Sequence, residues 1–150
     1  MINYLILTGA AVLISIFVFL GFRRTLDFKK RKGTVGYLYV ISNPKSFGKG
    51  IYKIGYTGGG KSDCPYNRIK SLSDASVPHD FVVHAIIKLK GAYDLEQALH
   101  DYFDYERVNP KKEFFKVRLS KIKSAISKSP YKLKYIVEFN SSGKPIIGCK

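Results

Sequence analysis

Two strand-like stretches rich in tyrosine and β-branched residues, Val35 to Ile41 and Ile51 to Thr57, flank the run Asn43-Pro44-Lys45-Ser46-Phe47-Gly48-Lys49-Gly50. No other feature constrains the fold as much. Tyr, Val and Ile favour extended backbone, and Pro and Gly packed into the run between them turn the chain back, so a hairpin is predicted. Gly58-Gly59-Gly60 then forms a flexible joint. Asp63 caps a helix with Pro65 in its first turn, running through Ile69 and Leu72 to about Ala75 and stopped by Val77-Pro78. Phe81 to Leu89 alternates Phe81, Val83, Ala85, Ile87 and Leu89 against Val82, His84, Ile86 and Lys88, the pattern of a central strand.

From Tyr93 to Phe103 the apolar residues Leu95, Ala98, Leu99, Tyr102 and Phe103 recur with helical spacing. A short extended segment follows at Glu113 to Val117, then a basic helix at Leu119 to Lys128 on an Ile122, Ala125, Ile126 stripe, and a last strand at Leu133 to Phe139. The expected class is α+β, a small mixed sheet flanked by helices. A chain of 150 residues with 45% apolar side chains has enough to bury one compact core. Its two cysteines, Cys64 and Cys149, lack a neighbouring Cys or His at ligand spacing, which suggests reduced thiols rather than a zinc site or a disulfide framework.

The first 22 residues carry no charged side chain, and Tyr4 to Phe22 is nearly all apolar. Nineteen helical residues at ~1.5 Å each reach about 28 Å, close to the hydrocarbon thickness of a bilayer. The basic residues Arg23, Arg24, Lys29, Lys30, Arg31 and Lys32 follow this run rather than precede it, against only Asp27. An uncleaved anchor over 1–22 and a basic linker over 23–34 are therefore expected, giving a single-pass inner or plasma membrane protein with its C-terminal part in the cytoplasm. The core is expected over 35–117 and a basic C-terminal extension over 118–150.

The net charge is +15, from 26 Lys and Arg against 11 Asp and Glu, and calls for an anionic partner, either nucleic acid or a phospholipid surface. Between Arg107 and Lys134 ten basic residues stand against the single acid Glu113. Arg107, Lys111, Lys112, Lys116, Arg118, Lys121 and Lys123, with Lys61 nearer the hairpin, are the candidate phosphate contacts; such contacts carry no sequence specificity. The same face also suits anionic headgroups beside an anchor.

Certain residues in this order resemble the GIY-YIG nuclease superfamily. They are Gly36-Tyr37-Leu38-Tyr39 on the first strand, Lys53-Ile54-Gly55 on the second, Arg68 on the first helix, Leu95-Glu96-Gln97-Ala98-Leu99-His100 on the next, and then Glu113-Phe114-Phe115. The likeness is greatest to the branch described in phages as a DNA-binding domain and elsewhere as meiotically up-regulated, and it covers about Gly36 to Val117. It implies a GIY-YIG-like fold and hydrolysis of phosphodiester bonds in DNA with one Mg²⁺ or Mn²⁺.

The resemblance also implies roles. Tyr39 helps to deprotonate or orient a water, Arg68 meets the charge on the phosphorane, Glu96 holds the metal, and His100, one helical turn away, is a candidate second base. A phenol titrates near 10, so a neighbouring cation would have to lower it, and Lys53 is the candidate. Lys53 stands where many members carry a second tyrosine. Tyr52 beside it points to the opposite face of the strand, and Tyr56 shares Tyr52's parity. Three readings follow: a membrane-anchored endonuclease, a DNA-binding module without cleavage, and a basic membrane-surface protein.

Overall fold

The computed structural model describes residues 33–60, 64–74 and 77–144. The anchor expected over residues 1–22, the basic flank Arg23 to Lys32, Lys61 and the Asp63 cap all lie outside the described residues. Among the described residues no helix is long and apolar enough to cross a membrane. The expected placement as a single-pass inner or plasma membrane protein is accordingly withdrawn.

Among the described residues five strands form one sheet in the order β4-β2-β1-β3-β5: β1 Val35–Ser42, β2 Ile51–Gly58, β3 Val82–Lys90, β4 Phe114–Lys116 and β5 Lys134–Val137. Every pairing is antiparallel, which corrects the expected mixed sheet. The hairpin is the seed, with Tyr39 opposite Gly55 and Ile41 opposite Lys53. The run between β1 and β2 is more than a turn. Pro44–Phe47 forms a single helical turn, α1, because Pro44 suits a first helical position and the Asn43 side-chain oxygen accepts the Ser46 N–H at 3.1 Å. That turn swings the Phe47 ring toward Phe81 and Phe114, with centroids 6.1 and 5.0 Å away.

The strict alternation expected along Phe81 to Leu89 breaks at His84. Val40 pairs with Ala85 but Ile41 pairs with Val83, so His84 is the extra residue of a β-bulge. One extra residue reverses which side chains face which side. Val83 and Ile86 therefore pack in one cluster while Ala85, Ile87 and Leu89 pack in the other. The bulge also gives His84 a place. Its Nδ1–H donates to the Asn140 carbonyl at 2.6 Å and its Nε2 accepts the Ser42 hydroxyl at 2.8 Å, so burial that disfavours the cation is matched by two partners for the neutral ring.

Helices cover both faces. On one side α3, Ala92–Tyr102, and α4, Leu119–Ser127, press Leu95, Leu99, Ile122 and Ile126 against Leu38, Val40, Ile54 and Phe115. On the other, α2, Pro65–Asp74, packs Ile69 against Tyr39, Ile41 and Val83. A 3₁₀ turn at Asp104–Glu106 leads from α3 toward β4. Cys64, just before α2, is disulfide-bonded, against the expectation of reduced thiols.

Candidate active site

Tyr39 is the anchor of the site. It is 2% exposed and lies across β2, where Gly55 makes room for it: a Cβ on Gly55 would fall 2.5 Å from the phenolic oxygen. Only glycine permits that approach. Burial pushes the Tyr39 hydroxyl up to about 12, although the Arg68 guanidinium, which donates a hydrogen bond to it from α2, pulls the other way. The cation beside the phenol is thus Arg68 rather than Lys53. At neutral pH the hydroxyl keeps its proton.

Lys53 is buried on the same face of β2, and its charge has another partner. Its ammonium pairs with the Glu113 carboxylate at the head of β4 and stands 5.6 Å from the centre of the Phe114 ring. Burial alone would raise Glu113, but the Lys53 hydrogen bond and charge outweigh it and hold the carboxyl below its usual range. Tyr52, by contrast, packs into the core cluster on the opposite face, as strand parity requires.

Glu96 and His100 reach the site around the edge of the sheet. Strand β4 pairs with Ile51, Tyr52 and Lys53, so among the described residues the outer edge of β2 beyond Lys53 has no strand partner. Side chains from α3 take over. His100 donates its Nε2–H to the Ile54 carbonyl at 2.9 Å, and the Glu96 carboxylate accepts the Tyr56 backbone N–H and a hydrogen bond from Gln97 at 3.0 Å. Burial raises the Glu96 carboxyl to about 6, with Glu113 adding to the shift and Gln97, Tyr56 and Lys53 opposing it. For His100, burial disfavours the cation and lowers its titration. Its ring lies 5.2 Å from Phe115. Through Nε2 this histidine covers the strand edge.

Tyr39, Arg68, Glu96, Lys53 and Glu113 thus act on one another electrostatically although they come from β1, α2, α3, β2 and the approach to β4. Among the described residues no three His, Cys, Asp or Glu side chains converge as a metal-binding group. The anionic pair Glu96 and Glu113 is the densest acidic feature of the site.

The basic candidates separate. Lys111 and Lys112 are exposed beside Glu113 and line the same groove as Lys53. Lys116 and Arg118 line a shallower recess with Lys49 and Tyr52, and Lys123 is exposed on α4. Arg107 is held by the protein: it bonds Asp104 at 3.0 Å, the Lys112 carbonyl at 3.0 Å and the His100 carbonyl at 3.4 Å, and lies 4.8 Å from the centre of Phe115. Lys121 pairs with Glu106 at 2.6 Å. Two features escape a reading of the sequence. Phe47 sits in a stretch that looks like a plain turn, and Arg107 looks like one more member of a basic run; only the Asn-Pro capping pattern hints at the first.

Among the described residues, a five-stranded antiparallel sheet with a cationic and carboxylate cluster at one edge defines a small α+β domain. The T5orf172 domain model matches residues 36–129, and the chain belongs to that family. Membership is compatible with DNA-binding or nuclease-like roles. No curated protein and no solved structure gives a significant match.

Proposed function

We propose that the domain is a GIY-YIG-like endonuclease that binds DNA and hydrolyses a phosphodiester bond with one divalent metal. The observation that supports it most is the meeting of Tyr39, Arg68 and Glu96, from three separate elements, beside the Lys53–Glu113 pair. Arg68 offers a planar fork of donors suited to a phosphate, and its present partner, a neutral phenol, holds it less tightly than an anion would. Tyr39 keeps its proton and orients a water by hydrogen bonding. Lys53 keeps Glu113 ionised and fixed.

Mg²⁺ and Mn²⁺ bind through one or two carboxylates completed by waters and substrate phosphate, rather than in an all-protein cage. Glu96 fits that demand as the ligand, with Glu113 beside it. The metal would supply Lewis-acid stabilisation of the leaving oxygen. A second reading, DNA binding without cleavage, is favoured by one observation: the position of the second motif tyrosine holds Lys53, whose charge is matched by Glu113.

Supercoiled plasmid incubated with the chain and Mg²⁺ or Mn²⁺ separates the two. Nicking that falls at least about 100-fold in Tyr39→Phe, Arg68→Ala and Glu96→Ala is expected from the loss of groups acting on the transition state. Nicking that persists in Arg68→Ala and Glu96→Ala removes this site from the reaction. A plasmid that is bound and never cut establishes the second reading.

A further inference from the structure

Beside the site lies a groove of about 670 Å³ that the cleavage chemistry leaves unused. Three phenylalanines from distant parts of the chain form its apolar wall. Phe47 comes from α1, Phe81 precedes β3 and Phe114 opens β4, with ring centroids 5.0 Å apart for Phe47–Phe114, 6.1 Å for Phe47–Phe81 and 6.3 Å for Phe81–Phe114. Phe81 is buried, whereas Phe47 is 40% exposed, a large apolar ring turned partly to water. Its size lies in the ~300–1,000 Å³ range of ordinary ligand sites.

The rim is charged. Lys111 and Lys112 line the groove on one side, and Lys53 and Glu113 line it where it meets the candidate active site. Leu72, another lining residue, is one turn along α2 from Arg68. A planar aromatic ligand with a phosphate on either side would therefore place its ring on the phenylalanines, one phosphate near Lys111 and Lys112, and the next toward Arg68. Aromatic side chains beside lysines are the means by which proteins hold unpaired bases, since every base has a stacking face and every link a charge. A fully paired duplex keeps its bases stacked inside and offers the groove nothing.

We infer that this groove receives an unpaired nucleobase of the DNA strand presented to the active site, so that the preferred substrate is DNA carrying an unpaired or extruded base. This deepens the proposed function and rests on its DNA-binding part.

Three fluorescein-labelled probes test it by anisotropy: a fully paired duplex, the same duplex with one unpaired 2-aminopurine, and the single strand. The chain is expected to bind the two unpaired probes about tenfold tighter than the duplex, the factor typical of one stacked base, with 2-aminopurine fluorescence quenched on binding. Phe47→Ala should bring all three to the duplex value, while Phe47→Tyr keeps the preference. Phe47 belongs to neither core cluster, and a matching thermal unfolding midpoint checks that the Ala variant folds. Equal affinity for paired and unpaired probes, or quenching unaffected by Phe47→Ala, overturns the groove assignment and leaves DNA binding standing. Absence of binding to every probe overturns both. A chain that sediments as a dimer and dissociates on Phe47→Ala assigns the groove to a second copy and also overturns the inference.

Discussion

Glu96 shows how one side chain serves two demands that oppose each other. Burial holds the carboxyl up to about 6, so keeping it ionised inside the protein at neutral pH is costly, a cost that the proposed metal would offset. The folded-state value is raised, so its contribution to stability is fully present below about 4.5 and is lost as pH rises through 6. Glu96→Gln keeps an oxygen for the Tyr56 N–H and removes the charge. We expect the variant to be more stable than the parent by about 1–2 kcal/mol at pH 7, from a shift of ~1.5 units, and no more stable at pH 4. Denaturant unfolding at the two pH values measures this without reference to activity. A gain that is equal at both pH values would mean that the carboxylate's charge is not the cause. Tyr39 is the complementary case, since a phenol held up to about 12 is a hydrogen-bond donor at any physiological pH and makes Arg68, not Lys53, its electrostatic neighbour.

Helix α3 does for the sheet what a sixth strand would otherwise do. The motif Leu95-Glu96-Gln97-Ala98-Leu99-His100 places Leu95 and Leu99 in the core, while Glu96 and His100, four apart, turn to the open edge of β2. Unpaired backbone groups at a buried edge are costly, and here a histidine and a glutamate satisfy them. His100→Ala should leave the Ile54 carbonyl without its partner and a void beside Phe115, a loss of about 2–4 kcal/mol. Urea unfolding checks this, together with plasmid nicking well below the unfolding midpoint. A nicking rate that collapses while stability is unchanged would assign His100 a role as a base. The spacing of the helix is legible in the sequence, but the purpose of its polar pair is not. Whether Glu96 and His100 face solvent, a metal or a strand edge depends on where β4 stops, and β4 is three residues long.

For the molecule as a whole, a net charge of +15 fixes the sign of its partner, yet the fold decides which cations are free to meet it. Lys111 and Lys112 are exposed at the groove, while Arg107 is bound on several sides by its own protein. DNA affinity between 50 and 200 mM salt should therefore fall less steeply in the Lys111→Ala/Lys112→Ala double variant, by about two in the log–log slope. Arg107→Ala should leave the slope unchanged and lower the melting temperature instead. An Arg107→Ala slope reduced by one, with stability intact, would return that residue to the phosphate-binding set. The hairpin, the order of helices and strands and the basic excess were set by local pattern: alternation, helical spacing, turn residues and charge; Tyr39, Arg68 and Glu96 stood out only through the family resemblance. Contacts between residues far apart in the chain belonged to the tertiary structure alone: Tyr39 with Arg68, Lys53 with Glu113, and Phe47 with Phe81 and Phe114. They follow from strand register, and a single bulged residue at His84, which no alternation pattern reveals, decides which face each side chain of β3 occupies.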